Sequence, residues 1–168
     1  PAENGTVVGM LTQTDGRDGK ALVFGKEGAY VDLNEVSLLK EKNFTLEAWI
    51  NPTETSRGTI LSQTMQGGGN WQLYYEKYQL KFHFNYGSGG FNLNTVTYIP
   101  LNTWTHISMT REEGVYKLFV NGIPMKARGD ENRMPEVTNT TIGAALKNGT
   151  FAEPFHGAID ELRLFDHA

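Results

Sequence analysis

Short runs of alternating apolar and polar residues, each closed by a glycine-rich turn, constrain this chain more than any other feature. The turn stretches "DGRDG", "GGGN", "YGSGG", "VNG" and "KNGT" punctuate the chain, and no stretch of three helical turns carries a helical pattern; "DLNEVSLLKEKN" suits one short turn at most. Turn signals at such spacing favour an all-β sandwich. The pattern predicts strands near 20–24, 29–33, 44–51, 58–63, 70–76, 79–86, 92–98, 104–110, 115–120, 138–143 and 156–165. A chain of 168 residues suits a single core. Residues 1–18 are weakly patterned and read as a lead-in, leaving 19–168 as the domain. The start, "PAENGTVVGM", is expected to mark a domain cut from a longer chain.

Side chains alternate between the two faces of a strand, so parity sorts core from surface. In "FTLEAWI", Phe44, Leu46, Ala48 and Ile50 form one row, and Thr45, Glu47 and Trp49 the other. In "WQLYY" and "LKFHF", the apolar row is Trp71, Leu73, Tyr75, Leu80, Phe82 and Phe84, which turns Gln72, Tyr74, Lys81 and His83 outward. In "WTHISMT", Ile107 and Met109 read as core. Leu118 and Val120 join the expected core. The outward rows carry aromatics and planar amides, whereas a merely solvated face would carry more Lys, Glu and Thr.

Composition and motifs then remove whole classes of function. With 15 Lys+Arg against 19 Asp+Glu the net charge is -4, too weak a field to draw nucleic acid or an anionic membrane. No run of about 18 apolar residues would insert into a bilayer. The absence of cysteine removes disulfides, thiolate metal sites and thiol nucleophiles. Its four histidines show no zinc spacing, and His83 and His106 have no Ser and Asp arranged with them.

The chain resembles the laminin-G-like jelly rolls of the concanavalin A-like lectin and glucanase superfamily. The similarity runs from about Gly19 to Phe165 and rests on "GKALVF", "AYVDL", "FTLEAWINP", "GTILSQ", "IPLNTWTHISMT", "YKLFVNG", "TIGA" and "FHGAIDELRLFD", in the family's order. The resemblance implies a two-sheet antiparallel jelly-roll sandwich and an extracellular or cell-surface setting. The superfamily contains enzymes and binding modules, and fold does not choose between them. Glucanases carry carboxylates on alternate groove positions, because hydrolysis needs an acid and a nucleophile or base about 5–9 Å apart. No Glu-x-Asp-x-Glu run occurs, and Glu47 is a lone acid of groove parity.

Sequence therefore favours a non-catalytic, lectin-like module that binds a glycan. Sugars offer C–H patches that pack on aromatic rings and hydroxyls that pair with planar polar groups. The candidate ligand residues are Trp49, Gln72, Tyr74 and His83 on the sheet face, Asn70, Tyr86 and Phe91 on adjoining glycine-rich loops, and Arg111 at a strand end. The alternative is a protein-binding or architectural domain of a large adhesin.

One acid stands out. If "FHGAIDELRLFD" alternates without interruption, Ala158, Asp160, Leu162 and Leu164 share the core-facing row, and Ile159, Glu161, Arg163 and Phe165 the other. A carboxylate among leucines must be satisfied by N–H groups, a cation or a metal. Related modules bind a structural calcium ion through the Asp of this closing motif, so the resemblance implies calcium at Asp160, with Asp15 and Asp18 of "DGRDG" as further ligands. The family's first strand commonly continues as Phe-Asp-Gly, whereas this chain has "FGKEG". Backbone N–H donors, or a cation such as Lys26, are the non-metal alternatives.

Overall fold

The computed structural model describes residues 5–25, 28–36, 43–86, 89–129 and 136–168, apart from the side chains of 86, 126 and 127. Among them there is no helix. Two seven-stranded antiparallel sheets form a concanavalin A-like jelly-roll sandwich. The front sheet runs β1 (Thr6–Val8), β4 (Tyr30–Asn34), β13 (Val137–Ile142), β6 (Gly58–Met65), β7 (Asn70–Glu76), β8 (Gln79–Tyr86) and β9 (Gly89–Asn94). The back sheet runs β12 (Ile123–Gly129), β11 (Val115–Val120), β10 (Thr105–Glu112), β5 (Phe44–Pro52), β16 (Gly157–Phe165), β3 (Lys20–Phe24) and β2 (Thr12–Asp15). A separate hairpin joins β14 (Ala145–Lys147) and β15 (Thr150–Ala152). The stretch read as a lead-in contributes β1 and β2, each pairing at a sheet edge.

The parity rows become the core. Phe44, Leu46, Ile50, Leu73, Phe82, Phe84, Ile107, Leu118 and Val120 are all buried. An aromatic layer links the sheets: Phe82 stacks on Tyr116 of β11 with ring centroids 5.1 Å apart, and also meets Trp71 and Phe91. Phe91 packs in turn on Phe84 and Tyr116. A buried polar relay starts at Trp71 in this layer, as burial of its indole N–H requires. The Trp71 indole N–H donates to Gln63 Oε1 at 2.7 Å, and Gln63 Nε2 donates to Thr140 Oγ1 at 3.0 Å.

Strand β16 departs from simple alternation. Ile159 lies opposite Ile50 and Asp160 opposite Trp49, but Arg163 lies opposite Glu47, so a bulge falls between Asp160 and Arg163. Glu161 adopts the left-handed conformation there, with φ 49°. The extra residue resets parity: Ile159 enters the core before the bulge and Leu164 pairs with Leu46 after it. Asp160 therefore lies on the outer face beside Trp49, not in the leucine row that uninterrupted alternation implies.

If the aromatic layer holds the sheets together, Phe82→Ala should lower stability by about 3–5 kcal/mol in urea denaturation. An exposed-site control, Asn92→Ala, should leave it within about 0.5 kcal/mol.

Candidate functional site

Once the core rows point inward, the outer row of β7, β8 and β9 forms a grid of polar side chains. Register places Asn70, Asn85 and Gly90 in one line, Gln72, His83 and Asn92 in the next, and Tyr74, Lys81 and Asn94 in the third. Asn85, Asn92 and Asn94 are exposed, and Asn70, Lys81 and His83 are half-buried. His83 Nδ1 and Asn92 Oδ1 hydrogen-bond at 2.7 Å, so the imidazole is fixed in orientation. The Lys81 ammonium pairs with Glu76 at 2.7 Å.

Two members of the grid are covered. Gln72 is 1% exposed and Tyr74 6%, although both point away from the core. The Arg57 guanidinium lies over the Tyr74 ring, 4.0 Å from its centroid, and donates to Gln72 Oε1 at 2.5 Å. Gln72 Nε2 reaches Thr59 Oγ1 at 2.6 Å and Glu153 Oε2 at 2.7 Å. Glu153 follows the β14–β15 hairpin and is tied to β6 through its carbonyl, which accepts from Thr59 N at 3.0 Å. Its carboxylate also pairs with Lys147 at 2.6 Å and with Arg57 at 3.2 Å. Gln72 and Tyr74 are thus the floor under a clamp, and Asn70, His83, Asn85, Asn92 and Asn94 are the open surface.

A groove of about 410 Å³ adjoins the Asn70 end of the grid. Its walls are the end of β6, with Thr64, the glycine turn that follows, with Gly68, and the hairpin tip, with Leu146, Lys147 and Asn148. Nothing in local sequence pattern announces that the hairpin folds back toward β6 and β7; "KNGT" signals a turn but not its destination.

The remaining expected ligand residues lie elsewhere. Trp49 belongs to the back sheet, where β5 pairs with β10 and β16, so it does not share a face with Tyr74 and His83. Its half-buried ring has partners of its own: Arg17 lies 4.4 Å from the centroid and His106 meets it edge-on at 5.2 Å. Glu47 on that face approaches His106 at 3.4 Å and Arg163 at 3.9 Å. Phe91 sits in β9 and turns inward, since Phe91 and Leu93 take the buried parity of that strand. Arg111 shares the inward row of β10 with Ile107 and Met109 and lies over the Tyr116 ring at 5.4 Å. Tyr86 ends β8, and its side chain lies outside the described residues.

Asp160 is satisfied by backbone. Its Oδ2 accepts from Arg17 N at 2.6 Å and Asp18 N at 3.3 Å, and its Oδ1 from Glu161 N at 2.9 Å. The turn that supplies these donors is closed by Gly16 N to Gly19 O at 3.0 Å, and a Cβ on Gly16 would collide with the carboxylate. Asp160 is consequently a latch holding residues 16–19 against the back sheet, with the Arg17 side chain capping Trp49. The proposed calcium ligands do not converge. Asp15 is 90% exposed and pairs with Lys20 at 2.5 Å, and Asp18 offers its N–H. Three N–H groups aimed at one carboxylate present positive dipoles where a cation would stand. Among the described residues no three His, Asp or Glu side chains are grouped to hold a metal. This donor set does not fit the calcium ion that the resemblance implies; Lys26, the alternative cation, lies outside the described residues.

The comparisons with known proteins agree with this architecture. The Laminin_G_3 family, of the Concanavalin A-like lectin/glucanases superfamily, matches residues 24–168, and the chain belongs to it. No curated protein matches the chain in sequence. Among solved structures, domain 4 of AbnA, a GH43 extracellular arabinanase from Geobacillus stearothermophilus in complex with arabinotriose, is 21% identical, with a TM-score of 0.79 over 98% of this chain and 82% of that one. The CBM40 domain of the Ruminococcus gnavus IT-sialidase, bound to alpha2,3 sialyllactose, is 17% identical, with a TM-score of 0.73 over 94% and 92%. Domains LG4-5 of the mouse laminin alpha1 chain are 16% identical, with a TM-score of 0.63 over 74% and 36%. At these identities the likeness shows the fold.

Two outcomes follow from the latch and the clamp. Asp160→Leu should cost about 1–3 kcal/mol by stranding its N–H donors, whereas a chelator should leave the wild-type Tm unchanged; a chelator-induced drop reversed by calcium would contradict the latch. Burial pushes the Glu153 pKa up, but hydrogen bonds from Lys147 and Gln72 and the charges of Arg57 and Lys147 outweigh it and leave the group below its usual 4.5. A depressed folded pKa contributes stability that is present at neutral pH and lost as pH falls below about 4.5 through the folded value. Glu153→Gln should therefore lower Tm at neutral pH and reduce the further fall on acidification to about pH 3.

Proposed function

We propose that this domain is a non-catalytic carbohydrate-binding module of a larger secreted or surface protein. Its glycan lies across the open grid of β7, β8 and β9 and enters the groove beside the β14–β15 hairpin. The observation that carries this reading is the convergence of Asn70, Asn85, Asn92, Asn94 and His83 on one accessible face. A side-chain amide offers a donor and an acceptor in one plane, which suits vicinal hydroxyls, and a fixed imidazole adds directional choice. Proteins of the same fold have been seen with arabinotriose and sialyllactose, which supports the ligand class.

Catalysis is disfavoured by the state of the acids near the grid. Glycoside hydrolysis needs two carboxyl groups free to act across one bond. Glu76 is held by Lys81, and Glu153 by Lys147, Arg57 and Gln72. On the back face Glu47 and Glu161 both engage Arg163.

A glycan array on the isolated domain should return at least one oligosaccharide class. For that ligand His83→Ala or Asn92→Ala should weaken binding about tenfold, or ~1.4 kcal/mol, with Tm little changed. An array without hits would favour the protein-binding alternative, and hits unaffected by either change would move the site off this face.

A further inference from the structure

The far end of β7 carries an anomaly that the grid does not use. Among the described residues four hairpins close with two-residue turns, after Glu112, Val120, Lys147 and Glu76. Both central residues of such a turn take positive φ, which is why Asn-Gly and its kin dominate there. Three of the four place glycine second: Gly114, Gly122 and Gly149, at φ 83°, 77° and 75°. The fourth is Lys77-Tyr78, at φ 50° and 64°. A bulky residue in this region is an outlier, and such strain persists where the side chain is needed.

The Tyr78 side chain stacks on Tyr98, with centroids 4.7 Å apart and planes within 22°. Backbone bonds brace the pair, Ile99 N to Tyr78 O at 2.8 Å and Lys77 N to Thr55 O at 2.9 Å, and the Tyr75 hydroxyl donates to Ile99 O at 3.2 Å. If the stack served only to pin the loop after β9, burial would be its expected state. Instead Tyr98 is 62% exposed and Tyr78 half-buried. A rigid, braced aromatic pair open to solvent is a platform for a sugar ring, whose C–H face packs on aromatic carbon while tyrosine hydroxyls meet its oxygens.

We propose that the Tyr78–Tyr98 stack is a second sugar-binding subsite, engaging the same polysaccharide that crosses the grid. This rests on the carbohydrate reading of that grid. Asn70 and Glu76 mark the two ends of β7, so groove and platform lie roughly 20 Å apart along the strand. Several sugar units span that distance, and a chain held at both ends gains avidity that a short oligosaccharide lacks.

The test is native affinity electrophoresis of the domain in gels containing arabinan, galactan, xylan, mixed-linkage β-glucan or pullulan, followed by calorimetry with the polymer that retards it. Tyr98→Ala is expected to weaken polymer binding about tenfold, Tyr98→Phe to retain it, and Tyr78→Asn to weaken it without lowering Tm, because asparagine suits the left-handed turn. Wild-type retardation by Tyr98→Ala and Tyr78→Asn, with His83→Ala retarded less, would overturn the second subsite while leaving the carbohydrate reading intact. No retardation of wild type by any of these polymers would overturn the second subsite, and a glycan array without hits beside it would overturn the carbohydrate reading as well.

Discussion

The aromatic layer between the sheets decides what every other side chain is free to do. Phe82, Phe91 and Tyr116 form the seam where front and back sheets meet, with Trp71, Phe84 and Phe44 around it. Because parity along a strand is fixed, burying these rings forces Asn85, His83 and Lys81 of β8, and Asn92 and Asn94 of β9, onto the opposite surface. The polar grid is the geometrical consequence of the core. A slip of one residue in β8 would exchange Phe82 and Phe84 for His83 and Asn85, which explains why the register admits no alternative.

The two outer faces have different fates. On the back sheet the turn 16–19 is drawn down by Asp160, Arg17 closes over Trp49, and Glu47 is shared by His106 and Arg163. On that face the charged and aromatic side chains are engaged with one another, and Trp49, Glu47 and His106 are half-buried. On the front sheet the equivalent covering, Arg57 and Glu153 over Tyr74 and Gln72, stops at β7 and leaves β8 and β9 open. The asymmetry gives the molecule one accessible amide-rich surface, with a groove at one end and a tyrosine pair at the other.

Much of this was legible in the sequence, and the omissions share a cause. Alternation identified Leu73, Phe82, Ile107 and Val120 as core and Gln72, Tyr74 and His83 as a common outward row, because these depend only on neighbours within a strand or hairpin. Parity alone groups Trp49 with that row, because it says which way a side chain points but not which sheet it belongs to. Alternation puts Asp160 in the leucine row, but a bulge, marked only by Glu161 at positive φ, breaks the count that alternation relies on. The turn signal of "YGSGG" puts Phe91 in a loop and the next strand at residue 92, whereas β9 starts at Gly89. The clamp over Gln72 requires residues 81 positions apart to meet, which no local pattern encodes.

On the proposed reading the open front face, and not the back face, receives the ligand. The most direct measurement is a titration of the isotopically labelled domain with its array-identified glycan, followed through side-chain amide and imidazole resonances in solution. Saturable shifts are expected at Asn70, Asn85, Asn92, Asn94 and His83, with the indole resonance of Trp49 and the side chain of Arg17 unmoved. Shifts confined to Trp49, His106 and Arg17, with the front-face amides silent, would contradict it.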